Sequence, residues 1–310
     1  MNLEYAIIVK NKTRLESLIE RFNTKAQAKF YIERSGGNFD DYEIEDNNFH
    51  KSLSSVQRQL SKVIKNKIVE RTYLPSFMFS PNQVVIVIGQ DGLVANTAKY
   101  VNEIPIVAVN PDIERYDGFL LPFNADNFIA GVENVITGKY NSKYATLAEA
   151  RLNDGQRLLA FNDLFIGAAS HISARYKISF GHRTEEQSSS GIIVSTQTGS
   201  TGWLSSIFNM TFGIQQFMGN DHARKKIEKL KDNQLMFIVR EPFQSKKKQA
   251  GLTAGILKGE TKLILESFMP ANGIIFSDGI ETDFLNFNSG TTAIIGTAKE
   301  KAKLVTPDAR

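Results

Sequence analysis

Two segments of the sequence combine glycine with side chains that are suited to phosphate chemistry. The first is the turn Gly89-Gln90-Asp91-Gly92, which places one carboxylate between an apolar run and a helix-like stretch. The second is Ser195-Thr196-Gln197-Thr198-Gly199-Ser200-Thr201-Gly202-Trp203, a run of hydroxyl residues between a strand-like segment and a helix-like one. Backbone N–H groups in such turns can bind phosphates, and a carboxylate there can hold a metal ion or accept a proton. Together the two segments indicate an enzyme that handles nucleotides.

Each candidate segment also has a purely structural interpretation. Asp-Gly is a frequent turn dipeptide, so the first segment taken alone favours an ordinary turn. The hydroxyls from Thr198 to Thr201 suit the cap of the helix that follows, although there are more of them than capping requires. Asn162 and Asp163 interrupt an apolar segment, where they either bond to their own turn or serve a site. Asp278-Gly279 predicts a hairpin turn.

The segments around the first turn alternate between strand and helix patterns. Gln83–Ile88 is an apolar run of the kind found in strands that are buried on both faces of a parallel sheet. A helix is predicted over residues 93–101, a strand over 104–109, and a helix over 126–137 that Gly138 ends. This alternation predicts an open α/β sheet that binds ligands near the carboxyl ends of its strands.

Beyond residue 139 the pattern changes to a succession of strands. Residues 140–144 are polar and are predicted to form a linker. One clear helix is predicted over residues 200–217, inside a strand-rich region. The strand-like segments cover residues 146–152, 156–164, 172–181, 191–195, 234–239, 252–266 and 273–277. A last strand is predicted over residues 291–296, followed by a basic tail from Glu300.

Composition limits the classes of protein to which the chain can belong. With 310 residues, of which 42% are hydrophobic and 23% charged, the chain is long enough for two globular domains. Its formal net charge of +4 is mild and spread along the sequence, which does not favour a nucleic-acid partner. The absence of cysteine excludes disulfides and thiolate metal sites, and the four histidines lack metal-ligand spacing. No secretion signal or membrane-spanning run is seen, so we expect a cytoplasmic protein without a membrane partner.

These motifs, taken together, resemble those of the NAD kinase family, which shares its nucleotide-binding plan with diacylglycerol and sphingosine kinases. The family pattern is Gly-Gly-Asp-Gly, then Asn-Glu, then Asp-Gly-x-x-Val-Ser-Thr-Pro-Thr-Gly-Ser-Thr-Ala-Tyr, then a late Asp-Gly. The corresponding residues here are 89–92, Asn162-Asp163, 190–203 and Asp278-Gly279. Order and spacing agree over roughly residues 80 to 300, and the Thr-Gly-Ser-Thr stretch is the most specific part.

The resemblance implies a fold of two domains with the site between them. The first would be an N-terminal Rossmann-like α/β domain with an open sheet, and the second a C-terminal β-rich, sandwich-like domain. We assign residues 1–142 to nucleotide binding and residues 143–290 to substrate binding. Residues 291–310 form a C-terminal segment that could return to the first domain. The family also implies a homo-oligomer, either a dimer or a tetramer.

The resemblance further implies a reaction. Asp91 would act as general base on the 2′-hydroxyl of the adenosine ribose of NAD. The γ-phosphate of ATP, with Mg²⁺ on the phosphates, would be transferred to that hydroxyl to give NADP. Most of the rate would come from positioning and charge stabilisation. The residues that would bind the nucleotides are Gly89, Gly92, Phe119, Asn162, Asp163, Ser195, Thr196, Thr198, Gly199, Ser200, Thr201, Gly202, Trp203 and Ser206.

Several residues depart from the family pattern. Gln90 replaces a glycine and Leu93 replaces a hydroxyl residue, both on the side of the ATP phosphates. Asp163 is one methylene shorter than the family glutamate, and Ser190 stands where the family usually has an acid near the nicotinamide. These departures keep two alternatives open. The chain could phosphorylate another hydroxyl acceptor (a sugar, nucleoside or lipid), or it could be a non-catalytic module that binds a dinucleotide.

Overall fold

The chain divides into two units. The structure, a computed structural model, describes residues 3–219, 229–246 and 250–308. One unit consists of Met1–Tyr144 with Lys303–Arg310, and the other of Ala145–Ala302. The boundaries predicted at residues 142 and 290 divide a nucleotide-binding domain from a substrate-binding domain, and this division stays a prediction.

The first unit contains a parallel sheet with helices. Its strands are β1 (Tyr5–Lys10), β2 (Lys65–Glu70), β3 (Gln83–Ile88), β4 (Ile106–Asn110), β5 (Phe123–Asn124) and the last residues of β17 (Thr292–Thr306). The order is β17-β4-β3-β1-β2 with β5 beside β4, and these pairs are parallel. The helices are α1 (Arg14–Phe22), α2 (Lys25–Arg34), α3 (Asp40–Leu60), α4 (Asp91–Ala98) and α5 (Phe128–Thr137), with a 3₁₀ helix over Arg71–Ser76. The predicted open α/β sheet is confirmed.

The central strands of this sheet are apolar because they are covered by helices. β3 and β4 are buried along almost their whole length. Alternate residues of β3 share a core with Phe49 and Leu53 of α3 and with Phe128 and Val132 of α5. Because β3 and β4 are adjacent and parallel, the segments that follow them emerge at the same edge of the sheet. This edge brings the turn after β3 close to the loop after β4.

Local hydrogen bonds define where the helices of this unit begin and end. The Oγ1 of Thr13 accepts the N–H of Glu16 at 3.1 Å, and the Glu16 carboxylate accepts the N–H of Thr13 at 2.8 Å. This reciprocal pair is a capping box that starts α1. At the other end of the unit, α5 stops at Gly138, whose φ of 74° is left-handed, as the sequence predicts.

The second unit consists of two sheets that share one apolar core. The first sheet has the order β10-β9-β14-β17, with β6 pairing both β17 and β7, and the second has the antiparallel order β13-β12-β11-β8-β15-β16. Side chains from both sheets meet in the core, including Tyr176, Phe237 and Phe287. The predicted β-rich, sandwich-like domain is therefore confirmed. Its elements are β6 (Asn141–Leu152), β7 (Arg157–Ala160), β8 (Asp163–Ala168), β9 (Ala174–Phe180), β10 (Arg183–Ser189), β11 (Ile192–Ser195), α6 (Trp203–Phe217), β12 (Gln234–Val239), β13 (Ala254–Lys258), β14 (Leu263–Ser267), β15 (Gly273–Ser277) and β16 (Ile280–Asn286).

Four predicted elements of this region are wrong. Residues 141–144 are not a linker, because they begin the long strand β6 and are polar where that strand is largely exposed. The basic tail predicted from Glu300 is instead the continuation of β17 to Thr306. The segments 156–164 and 252–266 are each two strands rather than one, with breaks at Phe161-Asn162 and around Gly259.

Strand β10 is absent from the predicted elements because its inward face is polar. Glu185, Gln187 and Ser189 are its buried residues, so the usual alternation of apolar and polar side chains is missing. The Glu185 carboxylate accepts the N–H groups of Gly251 and Leu252 at 3.1 and 2.9 Å. These bonds and the side-chain amide of Gln187 hold the pKa of Glu185 below its usual value in spite of burial, which acts in the opposite direction.

Candidate functional site

The turn that follows β3 leads directly into helix α4. Gly89 follows the strand, Gln90 is extended (φ −103°, ψ 168°), and Asp91 is the first residue of the helix. Helix α4 therefore covers Asp91–Ala98 and not the predicted residues 93–101. Gly92 is exposed, and a Cβ placed on it would meet no atom within 4 Å. The start of α4 thus offers open space beside backbone N–H groups, which is what a phosphate requires.

Asp91 is held by the loop that follows β4. Its Oδ1 accepts a hydrogen bond from the backbone N–H of Leu120 at 2.7 Å. None of the described residues forms a hydrogen bond with its Oδ2. The carboxylate is half-buried. One oxygen is therefore fixed, while the other is available to accept a proton or bind a cation.

The loop over residues 110–121 is built to keep Leu120 in this place. The Nδ2 of Asn110 donates to the carbonyl of Tyr116 at 2.9 Å. Gly118 has a φ of +62°, and a Cβ there would lie 2.7 Å from the same Nδ2, so the position requires glycine. Phe119, directly before Leu120, is 89% exposed. The loop presents an aromatic ring beside the residue that holds the carboxylate.

In the second unit, the carboxylate of Asp278 binds the segment between β7 and β8. Its Oδ1 accepts the N–H groups of Asn162 at 2.6 Å and Asp163 at 3.2 Å, and its Oδ2 accepts that of Phe161 at 3.0 Å. Asp278 and Gly279, with φ of 53° and 72°, form the two-residue turn between β15 and β16. The predicted hairpin turn is confirmed, but the sequence did not reveal this second role. The alternative of a self-bonded Asx pair is wrong, because the N–H groups donate to Asp278.

The hydroxyl-rich segment that begins at Ser195 is hydrogen-bonded to the same segment between β7 and β8. The hydroxyls of Thr196 and Thr198 each lie 2.6 Å from the carbonyl oxygen of Phe161 and 2.8 Å from each other. The N–H of Thr196 donates to the carbonyl of Asn162 at 2.9 Å, and the N–H of Gly199 donates to the Oγ1 of Thr196 at 3.2 Å. These two threonine hydroxyls join the two segments of the unit.

The later residues of the hydroxyl-rich segment form a 3₁₀ helix and then enter α6. The 3₁₀ helix covers Thr198–Thr201, and α6 begins at Trp203 rather than at the predicted residue 200. No side chain caps α6, so the capping interpretation of these hydroxyls is wrong. The accessible residues lie where the 3₁₀ helix meets α6. Ser200 is half-buried, and Thr201, Gly202 and Ser206 are exposed.

Trp203 lies between an aromatic ring and a cation. Its ring is nearly parallel to that of Phe165, with centroids 5.8 Å apart and planes at 9°. The guanidinium of Arg240 lies 5.5 Å from the ring centre. Trp203 and Ile207 pack on an apolar cluster formed by Phe165, Ile193, Ile274 and Phe276. This stacking fixes the first turn of α6 on the outer face of the second sheet.

Asp163 carries a carboxyl group that is removed from water. It lies opposite Ser195 in the β8–β11 pair. Its Oδ1 is buried and has no hydrogen-bond partner in the described residues. Burial, reinforced by the nearby negative charge of Asp278, raises the pKa of Asp163 to about 7, while a hydrogen bond with the Ser195 side chain acts in the opposite direction. The group therefore titrates near neutral pH.

The predicted site residues fall into two groups, one in each unit. The first unit holds Gly89, Asp91, Gly92 and Phe119, and the second gathers Asn162, Asp163 and the segment 195–206. Over residues 3–219, 229–246 and 250–308, no three His, Asp or Glu side chains are grouped so that they could hold a metal ion; His222 lies outside these residues. Within the same ranges, no helix combines the length and hydropathy of a membrane span.

Curated relatives of the chain are enzymes that act on NAD or NADP. The bifunctional NADP phosphatase/NAD kinase of Methanococcus maripaludis is 27% identical over 221 residues, which are 66% of this chain and 38% of the relative. The NAD kinase of Psychrobacter arcticus is 29% identical over 153 residues, 46% of this chain and 45% of the relative. The match therefore spans less than half the length of each relative. No protein-family model matches the chain.

Two solved structures share the fold along almost the whole chain. Yeast NADH kinase complexed with NADH aligns with a TM-score of 0.61 at 13% identity, covering 99% of this chain and 84% of that one. The NAD kinase of Archaeoglobus fulgidus in complex with ATP aligns with a TM-score of 0.56 at 14% identity, covering 99% and 94%. The chain therefore resembles NAD kinases in sequence over part of its length and has the fold of these two structures along almost its whole length.

The two residues of the first turn that depart from the NAD kinase pattern, Gln90 and Leu93, lie in different surroundings. Gln90 is exposed at the position directly before α4. Leu93 is buried in α4, with its Cδ2 2.9 Å from the position of a Cβ at Gly89. Leu93 therefore packs inside the unit, while the side chain of Gln90 is accessible.

Replacing Gly199 by alanine tests how tightly the hydroxyl-rich segment is packed. A Cβ at Gly199 would lie 2.3 Å from the carbonyl oxygen of Asn162 and 2.8 Å from the Oγ of Ser195. Because one obstacle is backbone, we expect Gly199→Ala to lower the free energy of unfolding by about 2–3 kcal/mol, measured by urea denaturation. Gly213→Ala in α6 is the matched control, because a Cβ there meets no atom within 4 Å. Equal stabilities of the two variants would contradict this packing.

Asp163→Asn tests the buried carboxyl through the pH dependence of stability. In the unfolded chain the group ionises near 3.8, and in the folded chain near 7, so between these values the folded chain binds more protons. Stability then falls as pH rises through this window, by at most about 4 kcal/mol from this group. We expect the unfolding free energy of Asp163→Asn minus that of the natural chain to rise between pH 5 and pH 8. A difference independent of pH would show that the carboxyl is not buried in this way.

Proposed function

We propose that the chain is an NAD kinase-like phosphotransferase that moves the γ-phosphate of ATP to the 2′-hydroxyl of the adenosine ribose of NAD, giving NADP. The observation that carries this proposal is the geometry of Asp91. A glycine turn at the carboxyl end of β3 presents the carboxylate, and a backbone N–H fixes one of its oxygens. The proposal is supported by the relatives named NAD kinases and by related folds that were solved with NADH and with ATP.

The proposed role of Asp91 is that of general base. The free Oδ2 accepts the proton of the ribose hydroxyl as the hydroxyl oxygen forms a bond to the γ-phosphorus. The bond between that phosphorus and the bridging oxygen breaks, and ADP leaves with the electron pair. Leu120 keeps the other oxygen in place, so that the carboxylate does not have to be ordered at the moment of reaction.

The phosphates of ATP are proposed to lie against Gly89, Gly92 and the first N–H groups of α4. The open space at Gly92 supports this placement. Mg²⁺ keeps several waters and binds largely through substrate phosphates in such sites, so the ion is proposed to lie on the ATP phosphates and to leave Oδ2 of Asp91 for the proton. The ion would neutralise charge that develops on the transferred group.

The acceptor nucleotide is proposed to bind to the second group of residues. The buried and the accessible residues of this group are proposed to have different roles. Ser195, Thr196 and Gly199 are buried and would hold the segment in shape, with the Thr198 hydroxyl bonded to the carbonyl of Phe161. The residues proposed to touch the nucleotide are Asn162, Ser200, Thr201, Gly202, Trp203 and Ser206, which are not buried, together with Asp163, whose buried Oδ1 has no partner in the described residues. Phe119 is proposed as an exposed ring that stacks on a nucleotide base. A homo-oligomeric, cytoplasmic enzyme remains part of the proposal.

A second candidate function keeps the chemistry and changes the acceptor. Ser190 is exposed and uncharged where the family usually has an acid near the nicotinamide. A site without that acid recognises a carboxamide less well, which favours a sugar, nucleoside or lipid hydroxyl. A third candidate, a dinucleotide-binding module without turnover, is favoured by Gln90 and Leu93 on the ATP side.

A turnover assay with an acceptor panel separates the three candidates. The purified chain is incubated with ATP and Mg²⁺, and with NAD, NADH, a sugar, a nucleoside or a lipid alcohol in separate reactions. Formation of NADP or NADPH supports the proposed function. Consumption of ATP with only another acceptor supports the second candidate, and binding of NAD without ADP release supports the third.

A further inference from the structure

Helix α3 contacts the loop after β4 through one stripe of its surface. Its apolar residues, among them Phe49 and Leu53, pack on the parallel sheet. The residues that contact the loop recur every three or four positions, which places them on one face of the helix. They are Asp41, Glu45, Asn48 and Ser52. The helix therefore supports two neighbours, the sheet and the loop that carries Leu120.

Asn48 and Ser52 make the closest contacts of this stripe. The Nδ2 of Asn48 donates to the Oδ2 of Asp112 at 2.9 Å, and the Oγ of Ser52 donates to the carbonyl of Pro111 at 2.7 Å. None of these four residues is exposed, so water competes less for the two bonds than it does at an open surface. The two bonds attach the start of the loop to α3.

The middle of the loop is held by the same stripe through Arg115. Its guanidinium lies 3.8 Å from the buried carboxylate of Glu45 and donates to the carbonyl of Asp41 at 3.3 Å. Glu45 also pairs with Arg14 of α1, so two cations balance its buried charge. The loop is thus attached to α3 at both its start and its middle.

Asp112 connects these two attachments within the loop. Its Oδ1 accepts the N–H of Arg115 at 3.3 Å, and its carbonyl accepts the N–H of Tyr116 at 3.0 Å. Its own N–H donates to the Oδ1 of Asn110 at 3.0 Å, and the Nδ2 of this asparagine donates to the carbonyl of Tyr116 at 2.9 Å. The first half of the loop is therefore one hydrogen-bonded unit that ends at Tyr116, shortly before Leu120.

We propose that Asn48 is a positioning residue: by holding Asp112, it fixes the loop whose Leu120 N–H orients the carboxylate of Asp91. This inference rests on the proposed function, because it assigns Asn48 to the arrangement of the general base. The Leu120 nitrogen lies 2.7 Å from Oδ1 of Asp91, so a shift of the loop turns the carboxylate and moves its Oδ2. Small displacements of a reacting group lower rates strongly.

The test exchanges the donor and the acceptor between α3 and the loop. Asn48→Asp places two carboxylates against each other, and the addition of Asp112→Asn restores a donor and an acceptor. The matched control is Asn47→Asp, the same change at the exposed neighbouring position of α3. We expect Asn48→Asp to lower kcat about tenfold with little change in KM for ATP, and the double variant to return to within about threefold of the natural kcat. By NMR, the Leu120 amide should exchange about tenfold faster in Asn48→Asp than in the natural chain, the double variant and the control.

A second variant keeps the test decisive if Asn48→Asp does not fold. Asn48→Ala removes the donor without adding a charge, so it should change kcat and the exchange rate in the same directions by smaller factors. Urea denaturation of every variant establishes that it is folded under the conditions of the assay.

The two measurements separate failure of this inference from failure of the proposed function. An unchanged exchange rate at Leu120 overturns the coupling between α3 and the loop, whatever the activity. Faster exchange with an unchanged kcat in an active enzyme overturns the positioning role, and a double variant no faster than Asn48→Asp overturns the pairing with Asp112. If the natural chain transfers no phosphate to any acceptor, the proposed function fails, and the role of Asn48 in catalysis fails with it.

Discussion

Replacing Asp91 by asparagine is expected to lower turnover by about 10²- to 10⁴-fold, because the reaction loses its general base. The amide oxygen of asparagine still accepts the Leu120 N–H, so the loop keeps its place. The amide nitrogen that replaces Oδ2 has no lone pair for a proton. The measurement is initial rate with ATP, Mg²⁺ and the accepted hydroxyl substrate, at saturating concentrations of each.

The control for this prediction is Asp117→Asn, an exposed aspartate in the loop after β4. It removes the same charge from the same region and should keep the rate of the natural chain. Thermal unfolding of Asp91→Asn should also match that of the natural chain, since the side chain is only half-buried in a turn. A variant at Asp91 that turns over at the natural rate would exclude the assigned role.

Replacing Asp278 by alanine is expected to have the largest effect on stability. The carboxylate accepts three backbone N–H groups, from Phe161, Asn162 and Asp163, at 2.6–3.2 Å. Without it, partly buried donors lose their acceptor, and alanine is strained at the φ of 53°. We expect a loss of about 3–5 kcal/mol in the free energy of unfolding, measured by urea denaturation.

Two further variants divide this loss into its causes. Asp278→Gly removes the carboxylate without the left-handed strain, so it should be less destabilised than alanine by about 1 kcal/mol. Asp278→Asn keeps one acceptor oxygen and should lie between glycine and the natural chain. Both variants remove a negative charge near Asp163 and should lower the pKa of that carboxyl. If all three variants are as stable as the natural chain, the three hydrogen bonds do not hold the segment.

The parts of the fold that follow from apolar patterning were predictable. Gln83–Ile88 was predicted with the bounds that it has, because a strand covered on both faces has no polar alternation to obscure it. Strand β10 was not predicted, because its inward-facing residues Glu185 and Gln187 are polar and form hydrogen bonds with Leu252, far along the chain. The continuation of β17 through Glu300 was missed because Lys299, Glu300 and Lys301 are charged and not buried, so that this part of the strand has the pattern of a charged tail.

The candidate site was predictable where side-chain chemistry is concentrated in a short motif. Asp91 was singled out by the glycines around it. Leu120 was not singled out, because it binds Asp91 through a backbone N–H, which every residue except proline has. Asp278 was predicted as a turn residue, since its binding partners lie 115 to 117 positions earlier in the sequence. Only the three-dimensional pairing of β8 with β15 shows why an aspartate is needed there.

The nucleotide-binding roles of Thr201, Gly202 and Ser206 stay a prediction. Their exposure is compatible with contact to a ligand, and the buried Thr196 and Gly199 explain why the segment has a fixed shape. A sequence shows which hydroxyls are present, but burial decides which of them remain free. In this segment the hydroxyls of Thr196 and Thr198 donate to the distant carbonyl of Phe161, whereas those of Ser200 and Ser206 donate to carbonyls within the segment itself and are not buried.

The most direct test of the account follows the phosphate itself. ATP labelled on its γ-phosphate is incubated with the chain, Mg²⁺ and NAD, and the products are separated. We expect the label to appear in NADP, at the 2′ position of the adenosine ribose, and Asp91→Asn to form this product at least about a hundredfold more slowly. Label that stays in ATP, is released as inorganic phosphate, or enters only another acceptor would contradict it.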